Sequence, residues 1–310
     1  MQRRDLLIGA AAAAASLPGP VAAQTAAPPA APQFHRMQVG TLPVTILHDG
    51  ATPRDVAQNF VPNAAPEQVR GALGGGSTTI QNPYNLTVVQ TRAGLVLFDT
   101  GFGQGAPAGL GQHRAAMQAA GIDPAAIAIV AFTHFHPDHI SGLIAADGST
   151  AFPNAVVKVP EREWTYWNDE GEMARVAEAR RPNFAMVKQR FAPYAQKIER
   201  FAPGAEVAPG VTALATPGHS PGHTSFLIAD GNGQLIVIGD AVTTPALFMA
   251  NPEWYPIFDM DPAQAVATRK ALLERAATER MPVIGYHFPF PATGRVERAG
   301  TGYRLVAGNG

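Results

Sequence analysis

The sequence predicts a mixed α/β (α+β) chain in which two sheets pack face to face with helices on the outside. Short apolar runs that read as strands recur from residue 39 to residue 306. They fall into two sets, each followed by a helical pattern, which suits layered sheets covered by helices. Four strand ends also carry imidazoles or carboxylates bracketed by Gly or Pro: His134, His136, Asp138 and His139, then His219, then Asp240, then His287. Converging strand ends are where a rigid scaffold builds a site.

At 310 residues, 46% hydrophobic and 15% charged, the chain is within reach of one large layered domain and is not disordered. A formal charge of −1 offers no basic field, so no nucleic acid is expected as a partner. The absence of cysteine excludes disulfides, thiolate metal sites and cysteine nucleophiles.

Taken in order, residues 1–23 read as an export signal. Arg3-Arg4 precedes an apolar stretch reaching Leu17, and Val21-Ala22-Ala23 offers small residues for cleavage. The stretch is short for a spanning helix and ends at Pro18-Gly19-Pro20. The twin arginines resemble the bacterial Tat signal, which implies a soluble periplasmic product with no stable membrane anchor; the alternative is an uncleaved anchor. Residues 24–36 form an Ala/Pro-rich linker and 37–310 the domain, whose start falls near Phe34–Met37.

Val39 to Leu47 reads as a strand ending in a turn at His48-Asp49-Gly50. Pro66 to Leu73 is a short helix stopped by Gly74-Gly75-Gly76. Tyr84 to Gln90 and Gly94 to Phe98 are adjacent strands, the second ending at Asp99-Thr100-Gly101. Gln112 to Ala120 is helical, and Asp123-Pro124 starts a further short helix. Ile127 to Phe132 is a continuous apolar run, the mark of a strand buried on both faces. Ala155 to Val159 is another strand. Glu161 to Glu170 and Met173 to Arg200 form a helical insertion broken at Pro182 and Pro193. Val211 to Ala215, Thr224 to Ala229 and Gln234 to Ile238 resume the strand pattern, the last two around an Asp230-Gly231-Asn232-Gly233 turn. Pro262 to Arg280 is a long helix capped by Asp261, Pro282 to Tyr286 a last buried strand, and 301–306 an edge pairing.

The densest chemistry lies at Thr133-His134-Phe135-His136-Pro137-Asp138-His139. Imidazole and carboxylate are the donors of zinc, iron and manganese. In extended backbone His134 and His136 point the same way and can share one ion, leaving Asp138 and His139 free to reach a second.

Together with Pro217-Gly218-His219, Gly239-Asp240 and His287, this run resembles the metallo-β-lactamase superfamily over roughly residues 37–306. The resemblance implies a four-layered αββα sandwich. It implies a first metal on His134, His136 and His219, a second on Asp138, His139 and His287, and Asp240 bridging both. The β-lactamase branch usually carries Cys where Asp240 stands. Thr133 to His139, Pro221-Gly222-His223-Thr224 and the Phe288-Pro289-Phe290-Pro291 segment after His287 are most similar to the methyl parathion hydrolase group, with lactonases nearby.

The expected activity is therefore that of a dinuclear metal-dependent hydrolase of ester-like bonds, whether phosphotriester, lactone or aryl ester. Two divalent ions about 3.5–4 Å apart lower the pKa of a shared water toward roughly 7. Zinc is the default from the donor set, though availability decides. Asp138 and Asp240 are the expected catalytic carboxylates, Asp138 handling a proton. Gly-x-Ser-x-Gly is absent, against serine catalysis.

Asp99 either orients a ligand imidazole or caps a turn. His223 reads as a hydrogen-bonding group beside the site, and His35, His48 and His113 as surface or satisfied histidines. Trp164, Trp167, Phe184 and Phe288 either wall the pocket or pack the scaffold. The partner expected is a small-molecule substrate, with a homodimer left open. Two other functions stand beside the hydrolase: a mononuclear iron, persulfide-dioxygenase-like oxidoreductase, and a non-catalytic metal-binding protein.

Overall fold

The computed structural model describes residues 33–56, 59–103 and 106–308; the expected export signal and most of the expected linker lie outside them. The first sheet contains β1 (Phe34–Val39), β2 (Leu42–Asp55), β3 (Thr79–Thr91), β4 (Gly94–Phe98), β5 (Ile127–Ala131), β6 (Val156–Pro160) and β7 (Ile198–Phe201), side by side in chain order. The second contains β8 (Glu206–Ala208), β9 (Val211–Ala215), β10 (Thr224–Asp230), β11 (Gly233–Gly239), β12 (Pro282–Gly285), β13 (Thr293–Ala299) and β14 (Gly302–Val306), also in chain order with β14 at an edge. The helices are α1 (Pro66–Ala72), α2 (His113–Ala119), α3 (Pro137–Ile140), α4 (Glu161–Asn168), α5 (Glu170–Arg175), α6 (Arg181–Phe191) and α7 (Pro262–Thr278).

Strand alternation builds the layers. Val96 and Phe98 point into the core shared with the second sheet, where the rings of Phe98 and Phe226 lie 4.8 Å apart. Leu97 and Val130 point the other way, into a core closed by Met117 of α2 and by Phe184, Val187 and Phe191 of α6. On the far side Leu272, Leu273 and Ala276 of α7 cover the second sheet. Two sheets packed between helical layers are the expected sandwich.

Strand direction then places the site. β4, β5, β6 and β7 are mutually parallel. In the second sheet β9 and β11 run the same way, each antiparallel to β10, and β12 is parallel to β11. Carboxyl ends of parallel strands gather along one rim, where α/β sheets bind ligands. Asp99, the 134–139 segment, His219, Asp240 and His287 all follow such ends.

Several expectations need correction. The chain turns at Gly40-Thr41, and β2 runs straight through His48-Asp49-Gly50 with a bulge there. The Asp49 carboxylate caps no turn; it is buried and accepts from the His113 and Phe102 backbone amides. The expected breaks at Pro182 and Pro193 are present: each proline is the second residue of a new helical segment, beginning at Arg181 and Ala192. Residues 198–200, the end of the expected insertion, belong instead to β7, Ile198–Phe201. Thr293–Ala299 and Pro245–Met249, a strand and a π-helical turn, had no expectation attached.

Candidate metal centre

β5 delivers His134 at its carboxyl end, and His136 caps the single turn of α3, which carries Asp138 and His139. His134 Nε2 and His219 Nε2 lie 2.9 and 3.0 Å from His136 Nδ1. One proton on His136 Nδ1 can serve only one of these neighbours, so the three nitrogens converge with too few hydrogens between them. Tetrahedral nitrogens about 2.0–2.1 Å from zinc lie roughly 3.4 Å apart, close to this triangle.

The second cluster adjoins the first. Asp138 Oδ2 lies 3.6 Å from His139 Nε2 and 3.4 Å from His287 Nε2. Asp240 stands between the clusters: Oδ2 is 3.3 Å from His219 Nε2 and 3.2 Å from His287 Nε2, and Oδ1 is 3.5 Å from His139 Nε2. His139 Nε2 and Asp240 Oδ1 are buried and make no hydrogen bond among the described residues. Gly239 makes this approach possible. Its φ is 53°, and a Cβ there would lie 2.8 Å from His223 Nε2.

The far ring nitrogens are committed to oxygen. His139 Nδ1 meets Asp99 Oδ2 at 2.9 Å, His219 Nδ1 meets Asp259 Oδ1 at 2.9 Å, and His287 Nδ1 donates to the Pro83 carbonyl at 2.9 Å. Thr133 donates its hydroxyl to Asp99, so His134 Nδ1, 3.0 Å from that oxygen, is the donor there. Each such bond turns the opposite lone pair inward, the arrangement metal-binding imidazoles share.

Electrostatics tell the same story. Burial lowers His134 well below its ordinary value, helped by the other imidazoles, and lowers His136 to about 3. Burial would lower His287 as well, but the Asp240 and Asp138 carboxylates lift it to about 10; His139 is raised by Asp240, Asp138 and Asp99. Burial would raise Asp138, yet His139 and His287 bring it down to about 2. The buried Asp240 and the partly exposed Asp138 thus draw positive charge into the hollow, and cations fit that demand.

His223 is no ligand in this geometry. Its Nε2 accepts the Asp240 amide at 2.9 Å, so Nδ1 carries the proton and donates to the Thr216 carbonyl at 3.1 Å. Asp99 takes the orienting role; its φ of 58° and its bonds to Thr133 and His139 belong to one buried knot. His48 Nδ1 meets Asn85 at 3.0 Å and His113 Nδ1 meets Asp49 at 2.7 Å, although His113 Nε2 is buried with no partner among the described residues.

A cavity of about 450 Å³ opens over the clusters, a size suited to a small molecule. Trp167 and Phe184 line it, with Tyr84, Phe102, Ile257 and Phe258. Two expected wall residues do not. Phe288 is fully buried in the intersheet core, and Trp164 packs beside Phe135 and Phe191. Sequence reasoning missed Glu163, Asp259, Arg269 and Tyr286, which stacks on His139 with ring centroids 3.9 Å apart. It also missed Thr243, whose hydroxyl is buried at the cavity with no partner among the described residues.

A two-sheet sandwich with paired His/Asp clusters at one rim defines the class. The sequence pattern of the metallo-β-lactamase superfamily matches residues 80–287, and the chain belongs to that superfamily. It is 28% identical over 165 residues to the N-acyl homoserine lactonase AiiA of Bacillus thuringiensis subsp. kurstaki, covering 53% of this chain and 56% of that protein. It is 27% identical over 161 residues to an N-acyl homoserine lactonase of Bacillus cereus, covering 52% and 55%. The chain thus spans about half the length of the curated relatives it matches. The hydrolase AbOPH, of the beta lactamase superfamily, superposes with a TM-score of 0.83 at 27% identity, over 89% of this chain and 98% of that one. AidC, a dizinc quorum-quenching lactonase, shares the fold with a TM-score of 0.83 at 24% identity, over 90% and 99%. Three donor groups among the described residues, His134/His136/His219, His134/His139/Asp240 and Asp138/His139/His287, have the composition and spacing to hold divalent metal ions.

Proposed function

We propose that the protein is an exported dinuclear metallohydrolase of ester-like bonds, with acyl lactones as its substrates and aryl phosphotriesters as a side activity. The observation that carries the reading is Asp240, whose single carboxylate lies within 3.5 Å of His219, His139 and His287, one donor common to both clusters. His134, His136 and His219 would hold one ion, Asp138, His139 and His287 the other, with Asp240 between. Such a pair supplies Lewis acidity and a water-derived nucleophile at neutral pH.

The protein's own groups do the rest. Asp138, partly exposed at the cavity and held ionised by its neighbours, takes a proton from the attacking water and returns it to the leaving oxygen. Trp167, Phe184 and Tyr84 exclude water around an apolar acyl or aryl group. The lactonase names of the curated relatives favour a lactone. The complete second donor set supports two ions over a single iron.

The test is a panel of acyl lactones, aryl phosphotriesters, aryl esters and nitrocefin against the purified protein, with metal content measured in parallel. Chelator-sensitive lactone hydrolysis with two ions per chain is expected. One iron per chain with oxygen consumption would overturn the reading. Export by the Tat route is tested separately: loss from the periplasm on replacing Arg3-Arg4 by Lys-Lys is expected.

A further inference from the structure

Glu163 lies in the first turn of α4 with no exposed surface, and it is not among the metal-type donors. Its carboxylate accepts four hydrogen bonds from three separate segments. Oε1 receives the Phe135 amide at 3.1 Å and Trp167 Nε1 at 2.6 Å; Oε2 receives Ser220 Oγ and the Gly222 amide, each at 2.8 Å. Phe135 lies between His134 and His136, Ser220 follows His219, and Trp167 is a wall of the cavity with its ring 6.3 Å from that of His136.

A group meeting four donors must be acceptor-only, and a carboxylate is the side chain that qualifies. Burying one is costly unless every donor is aimed at it, so packing alone does not call for it. The loop is pressed tightly against this point: a Cβ at Gly222 would lie 2.1 Å from the Glu163 backbone nitrogen. The two loops bearing all three first-cluster imidazoles and one cavity wall are therefore tied to a single carboxylate.

We infer that Glu163 is a positioning residue that sets the three imidazoles of the first cation site and couples them to the Trp167 wall. The inference rests on the dinuclear reading above.

The test titrates Co(II) into the metal-stripped full-length protein, following the visible spectrum and competition with a chelator. In Glu163→Gln one side-chain oxygen is replaced by an amide group that faces donors. First-site affinity should fall on the order of 10- to 100-fold with an altered first-site band, while the second site is retained. Trp167→Phe removes one donor and wall area, and should raise KM with Co(II) affinity held within a few-fold. Ser220→Ala removes a different donor and should weaken the first site by an intermediate factor. Wild-type affinity and spectrum in Glu163→Gln would overturn the inference even if the variant melts lower. If Glu163→Gln does not fold, an unchanged first-site affinity in Ser220→Ala overturns it. Wild-type protein that takes up fewer than two ions sinks the dinuclear reading itself, and is told apart by being seen before any variant is made.

Discussion

The Asp259 carboxylate holds His219 Nδ1 at 2.9 Å from forty residues away in the chain. Its other oxygen meets Arg269 Nη2 at 2.8 Å, and the buried Arg269 also donates to the carbonyls of Ala241 and Trp254. One ion pair thus orients a first-cluster imidazole and anchors the loop that follows Asp240. Asp259→Ala leaves the guanidinium buried and unpaired, at a cost of about 3–5 kcal/mol. Chemical denaturation should show that loss, and chelator competition a first-site affinity lowered on the order of 10- to 100-fold. A variant as stable as the parent would contradict the pairing.

Asp240→Ala should retain the fold, lose the second ion and lose nearly all turnover. The nitrogens of His219, His139 and His287 converge on this carboxylate, which also shares a donor group with His134 and His139. Elemental analysis, circular dichroism and lactone hydrolysis check the three parts. Two tightly held ions in the variant would remove Asp240 from its bridging place.

The donors were legible because each follows an apolar run and is bracketed by Gly or Pro, a local grammar that needs no knowledge of tertiary contacts. The groups that hold them were not. Glu163 reaches partners 28 and 59 residues away, and in sequence it is one acid among the many charges of the insertion. β2 was cut short for a related reason. His48-Asp49-Gly50 has turn chemistry, but the partners of Asp49 lie at residues 102 and 113, so tertiary contacts override the local signal. The wall residues were half legible: aromatic character marks both Trp167 and Phe288, and only packing separates a cavity wall from a core.

Metal-free protein should lose stability as pH rises. His287 has its folded value raised to about 10 from an ordinary 6.5, so its contribution is complete below about pH 6.5 and disappears as pH climbs through about 10. Cation binding must displace the same proton, so apparent affinity should climb over that window. Asp138, lowered to about 2, adds the opposite limb: its contribution is present above the ordinary carboxylate range and lost as pH falls toward about 2. Melting temperatures of the stripped protein against pH, with chelator competition alongside, check both signs. Displacing one proton predicts a rise of about 100-fold between pH 7 and 9, so an affinity independent of pH over that range would contradict the assignment.

Ile257 and Phe258 are 43% and 42% exposed at the cavity rim, and Arg54 lies 5.0 Å over the Phe258 ring. A rim of this kind takes the far end of an apolar chain and leaves the reacting bond untouched. Phe258→Ala should therefore raise KM for long-chain acyl lactones with kcat unchanged, a loss of about 1–2 kcal/mol or roughly 5- to 30-fold in kcat/KM. An unsubstituted lactone should show no difference. An equal loss for both substrates would place Phe258 outside the chain-binding rim.

Phe288 immediately follows His287, yet it points into the intersheet core and away from the cavity. Its ring packs so closely on Gly285 that a Cβ there would lie 2.3 Å from Phe288 Cδ1. Its backbone carbonyl accepts from Asn85 Nδ2 at 2.8 Å, which ties this turn across to β3. Phe288→Ala opens a cavity at a sealed position and should cost about 3–5 kcal/mol of unfolding free energy. Because the Asn85 bond is to backbone and survives the substitution, His287 keeps its place, and KM for an acyl lactone should stay within about twofold at temperatures where the variant is folded. Denaturant midpoints and steady-state kinetics separate the two roles: a large KM change with little loss of stability would return Phe288 to the pocket wall.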